Sequence, residues 1–438
     1  MTTLRRSLGL WELLVLGIIL VQPTAPMPLF GVVHQAAKGH VVTAVLISMV
    51  AMMFTAVSYG RMARVYPSAG SVYTYVGEEV HQSAGFLTGW SMLLEYVINA
   101  VVGTIWCAKA AGNFAPMIPE RIWDVIFASL FTYLNLRRVR TTARANAFMA
   151  GGMLLVVGWV FWAIARSVLA QPHLDAGFFT RPFYDASTFT WAGLGIGTAL
   201  SVLTFIGFDG VSTLSEEVEN PKRNIPRALV LLCFVVGLLS AAEVYAAQLI
   251  WPGNEAFPDN DTAYVYVAAR AGGSILFNVV NLTLLIANLG SGAGGQLAGA
   301  RLLFGMGRDN VLPKSVFGAV HPATRVPANN VLLIGALCVI GAFTMSFEFG
   351  AELLNFGAFI GFMGVNAAAF LYAWRTGVRT IGALLPPLLG WAICLVMWLN
   401  LGDKSKWLGG AWLVIGAAYG WWKTNGFKTA IRFEESVQ

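Results

Sequence analysis

Two carboxylates stand in stretches of sequence otherwise apolar enough to cross a bilayer. Asp209 lies in Phe205-Ile206-Gly207-Phe208-Asp209-Gly210, inside the run from Gly193 to Pro226, and Glu95 lies in Trp90-Ser91-Met92-Leu93-Leu94-Glu95-Tyr96-Val97-Ile98-Asn99. An ionisable group at membrane depth is by default a pointer to function. The chemistry open to such acids is the holding of an ammonium group that has lost its water, or the carriage of a proton. Asp209 also has a structural reading, because Asp is a preferred cap and stabilises a helix N-terminus. Glu95 shares a helical face with Asn99 and Val102, and its plainer reading is an acid near the interface paired with a neighbour.

The elements that must position these acids are helices in lipid. Over 438 residues the chain is 57% hydrophobic and 11% charged, with 15 Trp and 28 Phe, a composition outside the soluble globular class. A spanning helix needs roughly 20 apolar residues, and the hydrophobic runs predict spans near 10–35, 40–64, 84–109, 121–136, 146–168, 188–216, 226–250, 274–306, 327–346, 349–374, 380–400 and 406–422. The fold class is therefore an all-α membrane protein of about twelve transmembrane helices in one polytopic unit. The first segment lacks a small-residue cleavage site and is expected to remain in the mature chain. Cys107, Cys233, Cys338 and Cys394 sit in apolar runs without close spacing, which argues against a disulfide framework or a zinc site.

The net charge of +6 is better explained by topology than by a nucleic-acid partner. Threading the spans with the N-terminus inside puts 20 of the 28 Lys and Arg residues on the cytoplasmic side, as the positive-inside rule requires. Both termini are thus expected in the cytoplasm, with the protein in the inner (plasma) membrane.

Two spans are broken. Gln22-Pro23-Thr24-Ala25-Pro26-Met27-Pro28 interrupts the first with prolines that remove backbone donors, and the glycines beside Asp209 interrupt the sixth. Broken spans five apart point to an inverted-repeat transporter with a mid-membrane site; the plainer reading is a proline kink.

Longer motifs carry a resemblance. They are Ser58-Tyr59-Gly60 through Tyr66-Pro67-Ser68-Ala69-Gly70-Ser71-Val72-Tyr73-Thr74-Tyr75, Gly85-Phe86-Leu87-Thr88-Gly89-Trp90, Gly207-Phe208-Asp209 to Glu216-Glu217, and Arg301-Leu302-Leu303 to Gly307-Arg308-Asp309-Asn310-Val311-Leu312-Pro313. With these the chain resembles the amino acid–polyamine–organocation transporter superfamily, and within it the bacterial putrescine-importer-like permeases. The resemblance implies a five-plus-five inverted repeat with discontinuous helices 1 and 6, residues 1–170 and 188–375 forming the halves and 380–424 two additional helices. It also implies a substrate pocket bounded by helices 1, 3, 6, 8 and 10. Many relatives grip a substrate carboxylate with glycine-rich amides in helix 1. Here Pro23, Pro26 and Pro28 cannot donate, which tilts the substrate towards amines.

The candidate substrate-binding residues are then Gln22, Thr24, Pro26, Met27, Glu95, Tyr96, Asn99, Phe205, Phe208, Asp209, Ser291 and Phe356, with aromatic faces available to a cation. Glu216, Glu217, Arg301 and Arg308 are candidates for a cytoplasmic ion-pair gate, against plain loop solvation. Ser291-Gly292-Ala293-Gly294-Gly295 reads equally as helix packing. The loop from Trp251 to Ala271 reads as an outer lid, and His34 as a residue to watch for protonation.

The expected function is secondary transport of a polyamine such as putrescine, or another organic cation, by alternating access. The alternative is an amino acid permease or exchanger, and the different-class alternative a transporter-derived sensor or channel. No nucleophile motif, metal cluster or cofactor loop suggests an enzyme, so no cofactor is expected. Coupling to protons stays open, as does the oligomeric state, monomer or homodimer. The expected partners are a small amine or amino acid and membrane lipids.

Overall fold

The computed structural model describes residues 8–67, 71–137, 143–171, 176–214, 218–252, 255–308, 310–321, 326–424 and 426. Apolar runs in lipid must satisfy their backbone groups internally, and helices do so. Among the described residues there is no strand beyond an isolated bridge between Leu8 and Val218.

The helices are α1 (Leu10–Val21), α2 (Phe30–Ala36), α3 (Val41–Val65), α4 (Ser71–Glu79), α5 (Gln82–Phe114), α6 (Glu120–Leu136), α7 (Ala143–Leu169) and α8 (Ala176–Thr180). They continue as α9 (Trp191–Ser201), α10 (Pro221–Ile250), α11 (Ala263–Arg308), α12 (Lys314–Phe317), α13 (Ala328–Thr344), α14 (Phe347–Arg375), α15 (Ile381–Leu399) and α16 (Asp403–Lys423). Among the described residues eight segments are long and apolar enough to cross a membrane. The split pair α1 and α2, together with α6, α13 and α16, lies where the remaining spans are expected.

Both breaks are real, and the second starts earlier than the glycines suggest. α1 ends at Gln22, whose φ is 71°. The chain then makes two successive turns, closed by hydrogen bonds from Ala25 N to Gln22 O (3.2 Å) and from Met27 N to Thr24 O (3.1 Å), before α2. In the sixth span α9 gives way after Ser201 to a 3₁₀ turn at Val202–Phe205, and a second follows at Phe208–Leu214. The early loss of α-helix has a cause on another element. Asn355 of α14 donates through Nδ2 to the carbonyls of Ala199 (3.0 Å) and Leu200 (3.3 Å), competing for acceptors that the next turn would use. Gly207 then adopts φ 104°, and a Cβ there would lie 3.2 Å from the Leu20 carbonyl oxygen. Only glycine suits both the dihedral and the close passage of the two breaks.

α5 is the hub, packed against α4, α6, α11, α13, α14 and α16. Elsewhere the first span meets the sixth through α2 and α9, α3 meets α10, and α6 meets α13. Buried polar side chains tie the helices where apolar packing alone provides little specificity in lipid. Asn366 accepts from Ser58 (2.6 Å) and donates to Thr55 (3.1 Å), joining α14 to α3. Asn135 donates to Gln296 (2.8 Å), which donates to Thr132 (2.9 Å), joining α6 to α11.

α16 is fastened to the hub by a reciprocal pair. Trp90 Nε1 donates to the Trp412 carbonyl and Trp412 Nε1 to that of Trp90, both at 2.9 Å, with the rings stacked 4.7 Å apart. Gly416 leaves room for the indole: a Cβ there would come within 2.4 Å of Trp90. Gly416→Val is therefore expected to destabilise the detergent-solubilised protein by about 1–3 kcal/mol, the usual cost of overpacking. A lowered thermal unfolding midpoint checks this, and an unchanged midpoint would mean that α16 is not fixed through this contact.

Candidate functional site

A cavity of about 700 Å³ opens where the two breaks meet. Its wall takes Gln22, Pro23 and Ala25 from the first break, Leu203, Ile206, Gly207 and Asp209 from the second, and Met92, Glu95, Tyr96 and Asn99 from α5. α7 adds Asn146, Met149 and Met153, and α11 adds Asn288, Ser291, Gly294 and Arg301. The lining reaches Ser71, Asn146 and Arg301, so the cavity extends towards the end of the bundle at which α1 begins.

Asp209 is held by its own break. The main-chain N–H groups of Gly207, Asp209 and Gly210 are turned towards its carboxylate, and Ser212 Oγ donates to its carbonyl at 2.7 Å. The acid is thus oriented as a cap would be, and it still lines the cavity. Glu95 faces the same space from α5 and lies within electrostatic reach of Asp209. Gly357 of α14 fits against the Glu95 turn, with a Cβ there 2.9 Å from the Ser91 carbonyl oxygen and 3.3 Å from Glu95 Cβ. Close packing therefore fixes where this acid sits.

Seven of the candidate substrate-binding and gating residues come together on the cavity: Gln22, Glu95, Tyr96, Asn99, Asp209, Ser291 and Arg301. Gln22 also donates to the Ala287 carbonyl at 3.0 Å, fixing the first break to α11. Thr24, Pro26 and Met27 are buried off the cavity wall, because the successive turns point Pro23, Ala25 and Pro28 inward instead. Phe205 is buried, and Phe208 packs edge-on against Tyr59 at 5.5 Å and beside Phe362 at 5.7 Å. Phe356 faces away towards Trp398 at 5.3 Å and Gly409. None of these three rings lies on the cavity wall. Arg308 lies at the end of α11, off the cavity, while Glu216, Glu217 and Asp309 lie outside the described residues.

Asn288, Asn146 and the methionines of α7 went unremarked in the sequence. Asn288 shares a helical face with Ser291, Gly295 and Ala298, a periodicity that was available to find it; for α7 no such signal exists. The glycine run of α11 divides by face. A Cβ on Gly292 would lie 2.5 Å from the Phe131 ring, whereas one on Gly294 meets nothing within 4 Å. Gly292→Ala is expected to cost about 1–3 kcal/mol of stability, and Gly294→Ala to leave stability unchanged while narrowing the cavity. Paired thermal midpoints check the contrast, which equal shifts would contradict.

The opposite end is sealed. Lys109 Nζ lies 3.2 Å from Asp261, 3.6 Å from Asp259 and 3.6 Å from Glu120, tying α5 to α6 and to the segment before α11. Beneath it Phe30 packs on Phe257 (5.7 Å) and Tyr264 (5.6 Å), and Trp251 stacks on Phe257 at 4.7 Å. Arg270 closes the same segment over the Trp251 ring and bonds Glu255 at 2.8 Å. That hydrogen bond holds the Glu255 carboxyl below the usual carboxylate range. Removing the shared cation in Lys109→Met leaves three carboxylates facing one another, and the seal is expected to loosen. In a His34→Cys background, an impermeant thiol reagent added from that side should then react several-fold faster than with Lys109 intact; equal rates would make the cluster incidental.

A helical membrane protein with two broken spans around a central cavity sealed at one end is a transporter. The chain belongs to the amino acid permease family, whose sequence profile matches residues 27–401. It is similar to the low-affinity putrescine importer PlaP of Escherichia coli (strain K12), with 31% identity over 446 residues covering 99% of this chain and 97% of that protein. It is also similar to the branched-chain amino acid permease BcaP of Lactococcus lactis, at 28% identity and 93% and 92% coverage. A further relative is the cationic amino acid transporter 4 of Homo sapiens, at 26% identity over 85% of this chain and 61% of that protein. Permease membership makes this integral membrane protein a transporter of amines or amino acids, not an enzyme.

Proposed function

We propose that the protein carries a small diamine or polyamine of the putrescine class by alternating access, with Asp209 and Glu95 receiving its ammonium groups. The observation that carries this reading is the pairing of two carboxylates on one cavity wall with a first break poor in free donors. Of the amides left by the three prolines, those of Ala25 and Met27 already donate to Gln22 and Thr24, so little remains to hold a substrate carboxylate. An ammonium leaving water needs a compensating anion at close range, and two acids spaced along one cavity match two amines at the ends of a short chain. Similarity to a putrescine importer over nearly the whole of both chains supports the same substrate class.

Gln22, Tyr96, Asn99 and Ser291 supply the polar and aromatic remainder of the site, and Arg301 guards its open end. The amino acid permeases among the relatives define the competing reading, in which Asp209 or Glu95 holds a single α-amino group. In the cell this reading puts the protein in the inner membrane with both termini in the cytoplasm, the arrangement that the basic loops favour. Residues 1–170 and 188–375 act as two halves rocking about the cavity. The contacts of the first span with the sixth, α3 with α10 and α6 with α13 support that division.

The test is uptake into proteoliposomes of labelled putrescine against a panel of zwitterionic and cationic amino acids. Saturable putrescine uptake with counterflow supports the proposal. Transport of amino acids with no diamine uptake rejects it, and non-saturable flux without counterflow would favour a channel.

A further inference from the structure

A third buried acid belongs to neither the cavity nor the outer charge cluster. Glu243 lies on α10 about two turns before that helix ends at Ile250. It is fully enclosed, at 0% exposure, and neither carboxylate oxygen has a hydrogen-bond partner. Among the described residues no cation pairs with it. A carboxylate in such a place carries the whole cost of its desolvation, and the group escapes that cost only by holding a proton. Replacing it with a hydrocarbon side chain would remove the penalty altogether, so an acid here needs a reason other than packing.

Its surroundings supply one. From α11, Tyr264 donates its hydroxyl to the Glu243 main-chain carbonyl at 3.2 Å, and the Tyr264 ring packs edge-on against Phe30 at the start of α2. Phe30 is also in contact with His34 and with Phe257 of the sealing segment. The run of α3 that packs on α10 near the sealed end, Val41 to Met49, holds no titratable residue. On α10 itself Gln248 is spent on the Gly39 carbonyl. Tyr264 is thus the titratable group in direct contact, and His34, whose ring nitrogens also lack partners, lies one aromatic layer away. Glu243 therefore sits directly behind the aromatic seal that must part for the cavity to reach the other side.

We infer that Glu243 is a proton-binding site whose occupancy is tied to the seal: protonated while the seal is closed, and free to exchange its proton with water when α2 and the Tyr264 segment move away. One proton is taken from the water outside the seal at each closure and returned to it at each opening, so the site moves no net proton across the membrane and instead makes opening of the seal depend on the pH on that side. This rests on alternating access as proposed above but assigns the pH dependence of opening to a residue outside the substrate cavity.

Two measurements test it. The first needs no substrate: infrared difference spectra of the detergent-solubilised wild type against Glu243→Gln should contain the carbonyl stretch of one protonated carboxylic acid at neutral pH. Its absence, with Glu243 ionised, overturns the inference. The second uses proteoliposomes with the membrane potential clamped at zero and labelled putrescine as probe. Release of one proton on opening changes the ratio of open to closed seal by up to about 10-fold per unit of outer pH, so lowering the outer pH from about 7 to about 6 should slow putrescine exchange by the wild type up to about 10-fold more than exchange by Glu243→Gln. An equal pH dependence in the two proteins also overturns the inference. A wild type that fails to exchange putrescine at all rejects the substrate reading instead, and the infrared result then decides Glu243 alone.

Discussion

Asp209→Asn should reduce putrescine uptake by about 100-fold or more while leaving the protein folded, since truncating one partner of a desolvated charge pair costs several kcal/mol. The asparagine side chain has nearly the same shape, and its carbonyl oxygen can still accept from the amides of Gly207 and Gly210, so the cap survives and only the charge is lost. Transport and capping are thereby separated. Uptake in proteoliposomes, together with the thermal midpoint in detergent, reads both. A variant with wild-type uptake at limiting and at saturating substrate would reduce Asp209 to a cap, and a variant with a collapsed midpoint would make the lost uptake a folding effect.

The second large effect concerns Glu95. If Asp209 takes one ammonium and Glu95 the other, Glu95→Gln should raise the putrescine KM by about 10- to 100-fold. The same change should matter little for inhibition by a monoamine such as butylamine, which has no second charge to place. Equal losses for diamine and monoamine would show that Glu95 acts on the protein rather than on the ligand. The geometry makes the comparison clean, because Gly357 and the Ser91 turn hold the α5 backbone at this point and a Glu-to-Gln change alters charge more than volume.

Much of this arrangement was legible in the sequence, for a physical reason. A helix in lipid must be apolar over a set length and cannot leave backbone groups unpaired, so spans, breaks and buried acids stand out against a uniform background. Thus α3, α10 and the stretch of α11 after Gly273 match the expected spans to within a few residues, and Asp209 and Gln22 of the two breaks line one cavity with Glu95 and Ser291, which the resemblance had put beside them.

What was not legible depends on contacts between distant segments. The early unwinding at Ser201 is brought about by Asn355, more than 150 residues away, and nothing local announces it. The inward or outward direction of Phe205, Phe208 and Phe356 depends on which neighbours surround them, and aromatic residues are as frequent behind a site as in it. Glu243 has no flanking glycine or proline to draw the eye. Its isolation is visible only once the rest of the bundle is in place around it.

Whether the cavity between the two breaks is an amine site built on carboxylates is decided by equilibrium binding of labelled putrescine to the detergent-purified wild type, Asp209→Asn and Glu95→Gln, with unlabelled diamines and amino acids as competitors. One saturable site is expected in the wild type, displaced by diamines, lost in Asp209→Asn and weakened in Glu95→Gln. Equal binding by all three proteins, or displacement by leucine and not by a diamine, would contradict it.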